Sequence, residues 1–147
     1  MFGSRNGVVT LLKEKYPDIV AVHCLAHRLE LAYKDSLKSL ANKQYDKLTT
    51  LLVGLYYFYK KSSKQRKSLR RTISVLKMTQ LVPPRVGGTR WLGHMKRAID
   101  VTIKIYPVLV DHLSTESHSN AKAEGLAKLL MNYETVVFML LIRVKTV

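Results

Sequence analysis

The spacing of apolar residues changes abruptly near the start of the chain. Residues 19–22 form a short run of aliphatic, mostly β-branched side chains, the pattern of a strand buried on both faces. From Leu25 onward the apolar positions fall at Leu25, Leu29, Ala32, Tyr33, Leu37 and Leu40, which is helical spacing. Upstream, Val8, Val9, Leu11 and Leu12 mark a short amphipathic helix. It should stop at Tyr16, because the residue before Pro17 avoids the α region. Residues 1–7, with Gly3, Asn6 and Gly7, read as a loop.

After Ala41 the pattern is helical throughout. Leu48, Leu51, Leu52, Leu55, Phe58 and Tyr59 keep the three-and-four spacing up to a break at Ser62 and Ser63. A second helix is predicted over 64–78, with Leu69, Ile73 and Leu76 inward. Pro83, Pro84, Gly87 and Gly88 bracket a segment that cannot be helical, and Thr89 is placed to cap the helix that follows. That helix carries Trp91, Leu92, Met95, Ala98, Ile99, Ile103 and Tyr106, and Pro107 kinks or restarts it. Residues 108–113 make one more helical piece, 114–120 a polar loop, and a last helix starts near Ala121. The predicted fold class is mostly α, with one short strand near 19–24.

At 147 residues, a single domain with a proper core is the expectation. One cysteine excludes an internal disulfide framework and fits a reducing compartment. The apolar stretch 136–142 is too short to span a bilayer, so no membrane partner is expected. Charge changes the picture most. The formal net charge is +15, and no acid occurs between Asp46 and Asp100, a window holding 13 of the 25 basic residues. A helix that needs only solubility mixes signs. Excluding acids over so long a stretch points to a surface that faces phosphates, with a merely solvated basic face as the alternative. Arg66, Lys67, Arg70, Arg71, Lys96 and Arg97 are the candidate contacts on helices.

Two other places carry potential chemistry. His23, Cys24 and His27 gather where the expected strand meets a helix, the position at which α/β folds place their sites. Cys24 and His27 supply two zinc ligands where a structural site needs four, so a buried thiol and a hydrogen-bonded histidine shaping the strand end is the better reading, and no metal is expected. Thr89, Arg90 and Trp91 open a helix after the proline-and-glycine segment. Thr89, Arg90 and the open N–H groups there can donate to phosphate. Trp91 either stacks on an unpaired base or anchors its helix in the core.

The block His23-Cys24-Leu25-Ala26-His27-Arg28-Leu29-Glu30-Leu31-Ala32, followed some sixty residues later by Gly87-Gly88-Thr89-Arg90-Trp91-Leu92, resembles the hAT superfamily of transposases. It is most similar to their domesticated, zinc-finger-associated descendants. The resemblance implies an RNase H-like core interrupted by a large helical insertion. On that layout residues 1–41 are part of the core (helix, last strand, following helix), and 42–147 are an incomplete helical insertion. It further implies that Cys24 and His27 match a Cys-x-x-His motif beside the active site, and that Arg90 and Trp91 match a pair that handles the flipped base and hairpin at a cleaved DNA end.

The family's catalysis uses two aspartates and a glutamate holding divalent cations. By its layout these fall outside residues 1–147, and Asp18, Glu30 and Asp35 match none of them. The resemblance thus implies a nuclear, transposase-derived fragment that binds nucleic acid, DNA first, without independent catalysis. No cofactor is expected, Mg²⁺ or Mn²⁺ belonging only to a full-length family member. The alternative is a domesticated nuclear module that binds partner proteins.

Overall fold

The structure is a computed structural model that describes residues 7–22, 24–87 and 91–145. Among the described residues there are seven helices: α1 (Val8–Lys15), α2 (Leu25–Lys61), α3 (Ser63–Val75), α4 (Trp91–Lys104), α5 (Tyr106–Ser117), α6 (Ala121–Leu130) and α7 (Tyr133–Lys145). The mostly α expectation holds at that level.

The strand does not form. Residues 19–22 are irregular, and Val20 and Val22 are 84% and 77% exposed. A β-branched run suits a strand only if a neighbour takes up its backbone N–H and C=O groups. No second run of that kind pairs with it among the described residues, and the Ile19 N–H turns back to the Tyr16 carbonyl (3.2 Å) instead.

The long α2 organises everything else. Its backbone breaks at Ala41, where φ is −148° and ψ 47°. Before the break, Leu25, Leu29 and Leu31 are exposed. Beyond it, two apolar faces diverge from one helix. Leu51, Leu55, Phe58 and Tyr59 join Leu69 and Ile73 of α3, Val108, Leu109 and Leu113 of α5, and Ala123, Leu126, Ala127 and Leu130 of α6. Tyr45, Leu48 and Leu52 join Met95, Ala98 and Ile99 of α4 and Phe138, Met139 and Ile142 of α7. Gly54 lets α2 and α6 come close, since a Cβ there would sit 2.6 Å from Leu126 Cδ2. By contrast α1 buries no residue and packs on no other helix.

Three boundaries differ from the sequence pattern. The helix expected over 64–78 stops at Val75, where the chain turns at Lys77 (φ 50°), so Leu76, expected inward, is exposed. Residues 114–117, expected as loop, continue α5. Their hydroxyls turn back on the helix, Thr115 Oγ1 donating to the Asp111 carbonyl (3.0 Å) and Ser117 Oγ to that of Ser114 (2.6 Å). The last predicted helix is two, α6 and α7. Asn132 interrupts it by capping α7, its Oδ1 accepting from the Thr135 N–H (3.1 Å) and hydroxyl (3.2 Å). The bend redirects the apolar side, and Tyr133 and Leu140 face solvent.

Pro107 does restart a helix as expected, lying in the first turn of α5. No single described helix is long and apolar enough to cross a membrane.

Candidate nucleic-acid interface

α3 begins at Ser62, whose side chain accepts from the Gln65 N–H (3.2 Å). Gln65, Leu69 and Ile73 then fall on one stripe and are buried against α2 and α5. Periodicity forces Lys64, Lys67 and Arg71 onto the opposite side, with Arg70 on its flank. All four are exposed, and no acid on α3 or elsewhere among the described residues pairs with them. The helix ends in a left-handed residue, Lys77 (φ 50°). The Met78 and Lys77 N–H groups close back on the carbonyls of Ile73 (3.1 Å) and Ser74 (3.2 Å).

Arg66, a candidate phosphate contact by sequence, has a different position. Its Nε donates to the Tyr59 carbonyl and its Nη2 to that of Lys60, each at 3.2 Å. Those are two of the carbonyls that α2 leaves without an intrahelical donor, and the guanidinium also sits at the negative end of that helix. Arg66 thus fastens α3 to α2, with part of its fork spent on the protein.

The aromatic quartet at the end of α2 divides by side. Phe58 and Tyr59 enter the core, while Tyr56 and Tyr57 stay at the surface. Lys60 Nζ donates to the Tyr56 hydroxyl (2.7 Å) and lies 5.2 Å from that ring's centre. Lys61 Nζ lies 5.4 Å from the centre of the Tyr57 ring. Two ammonium groups are thereby held beside the start of α3. Lys60, Lys61 and Lys64 were not singled out from the sequence, although Tyr-x-x-x-Lys repeated in register was a legible signal.

The remaining candidates lie apart. Lys96 is half-buried and Arg97 exposed on α4, which packs on α2, α5 and α7 and makes no contact with α3. Trp91 opens α4, its side chain lying outside the described part, and Thr89 and Arg90 are outside the described residues altogether. So is His23. Cys24 and His27 are both exposed, Cys24 being the residue before α2. The expected buried thiol is therefore on the surface, because the strand that would have covered it is not formed. Among the described residues no three His, Cys, Asp or Glu side chains converge in a way that could hold a metal ion.

No family model matches the chain, and no solved structure matches it.

Proposed function

We propose that this chain is a transposase-derived nucleic-acid-binding fragment, similar to the helical insertion of hAT transposases and nuclear in location. The observation that carries the reading is the outward side of α3: Lys64, Lys67, Arg70 and Arg71, exposed and free of acidic partners. Four cations on one exposed helix cost self-repulsion, which an opposing row of phosphates removes. Lys60 and Lys61 extend the same charge, and Lys96, Arg97 and the segment Thr89-Arg90-Trp91 add a second contact region on this proposal. The RNase H-like core, DNA as the preferred partner, and the absence of independent catalysis rest on the motif resemblance. On that reading no cofactor acts here, and the family's divalent ions are held by carboxylates outside residues 1–147.

The test is binding as a function of salt. Replacing Lys67, Arg70 and Arg71 by Glu should weaken binding to hairpin, single-stranded and duplex DNA alike, by about tenfold or more at low salt, and flatten the salt dependence. Arg66 is left intact because its loss would loosen α3. Unchanged affinity with a folded variant would remove α3 from the interface. The same DNA incubated with Mg²⁺ should stay uncut, and reproducible nicking would restore an enzyme reading.

A second reading, a module that binds proteins, is favoured by the exposed apolar side chains Val8, Leu11, Val20, Val22, Leu25 and Leu29 before the Ala41 break.

A further inference from the structure

Tyr57 presents an open aromatic ring inside the basic region. It is 43% exposed, and the other well-exposed tyrosines described, Tyr16 and Tyr133, lie outside the acid-free window. The next two residues, Phe58 and Tyr59, are buried in the core and hold the backbone of this turn in place. The Tyr56 ring meets that of Tyr57 edge to face, with centres 5.0 Å apart and planes at 65°. The ring lines a groove of about 220 Å³ together with Phe58, Lys61 and Lys122, and no acid contributes to that lining. Lys61 Nζ lies over the ring, 5.4 Å from its centre. From Lys61 the chain passes directly into the first turn of α3, where Lys64 begins the cationic side.

A cationic side alone does not tell one nucleic acid from another, because single strands and duplexes both present phosphates. An accessible ring does. In a duplex each base is covered by its stacked neighbours, and only base edges point outward. In a single strand the base faces are open, and every base has a face that can stack on an aromatic side chain. A base and its phosphate are joined through one sugar, so a ring with an ammonium beside it meets both parts of one nucleotide. The contact of an ammonium with a ring at an exposed site is weaker than a base stack. An arriving base therefore takes the Tyr57 ring, and Lys61 turns to the adjoining phosphate. Lys122, in the same groove, is placed for a second phosphate.

We propose that Tyr57 is a stacking platform for an unpaired base, which adds affinity for single-stranded DNA that a fully paired duplex cannot draw on. The inference deepens the nucleic-acid reading and rests on it for the contacts of α3 with the strand's phosphates. The whole chain is titrated, by fluorescence anisotropy, with a labelled oligothymidylate, an abasic strand of the same length and a blunt duplex. The oligothymidylate should bind about tenfold tighter than the abasic strand, within the range of one base stacked on an aromatic ring. Tyr57→Ala should remove that difference while leaving the abasic strand, the duplex and the salt slope as they were. Tyr57→Phe, which keeps the ring, should retain it. Loss of affinity for all three probes together in Tyr57→Ala would reveal a structural role and overturn the proposal, as would an oligothymidylate that binds no better than the abasic strand. If Tyr57→Ala changes nothing while replacing Lys67, Arg70 and Arg71 by Glu weakens all binding, the Tyr57 proposal falls and the α3 reading stands. If the charge reversal changes nothing either, both fall.

Discussion

Tyr59 and His112 form the most deeply placed polar contact described. The Tyr59 hydroxyl lies 3.1 Å from His112 Nδ1, and both residues are buried. Burial raises the Tyr59 pKa, with Glu116 adding to the effect. Burial also lowers that of His112, while Glu116 and Asp111 pull it back up. The folded state thus prefers neutral imidazole, whereas the unfolded chain titrates near the ordinary value of 6.5. Between the depressed folded value and 6.5 the unfolded chain binds more protons, so stability rises with pH in that window. This contribution is complete above the unfolded value and is lost as pH falls through it towards the folded one. Urea midpoints measured from pH 5 to 8 should show this slope, and His112→Leu should remove it. A slope that persists in that variant would assign the effect to another group. Tyr59→Phe should cost about 1 kcal/mol at neutral pH by leaving Nδ1 without its partner.

Elements were legible wherever one buried side repeats over several turns. The helices after Ala41 are of this kind: Leu48 to Tyr59, Leu69 and Ile73, and Met95 to Ile99 all read correctly because each stripe has a partner within the chain. The run at 19–22 misled, since a strand is a property of a pair and its other half is not supplied here. Asn132 was overlooked because an apolar series continues on both sides of it, and only its cap bonds to Thr135 reveal the bend. The basic side of α3 was legible as composition, but the spending of Arg66 on the Tyr59 and Lys60 carbonyls was not, because it depends on where α2 stops. The end of α3 yields a prediction at this scale. Lys77 adopts a left-handed conformation that disfavours any side chain, and glycine is the usual occupant of that position. Lys77→Gly should raise stability by up to about 1 kcal/mol, read as a higher thermal midpoint. A lower midpoint would show that the Lys77 side chain contributes more than its backbone strain costs.

For the molecule as a whole, the chain before the Ala41 break is mostly exposed, with Leu37 reaching the second cluster, and the chain after it is packed. Amides at 20–22 and 25–32 should exchange with solvent quickly, and those from Leu48 to Tyr59 slowly, a contrast that hydrogen exchange reads residue by residue. Strong protection at 20–22 in the monomer would mean that the segment finds a cover. Beyond the break, α2 contributes to both apolar clusters from adjacent turns: Leu51 and Leu55 to one, Leu48 and Leu52 to the other. Neither cluster can lose its share of α2 without unravelling the turns on which the other depends. The bundle after Ala41 is therefore a single cooperative unit, in which the α4–α7 half cannot melt ahead of the α3–α5–α6 half. A partner that grips α3 would, by the same coupling, slow the opening of α7 on the far cluster, although α3 and α7 never touch.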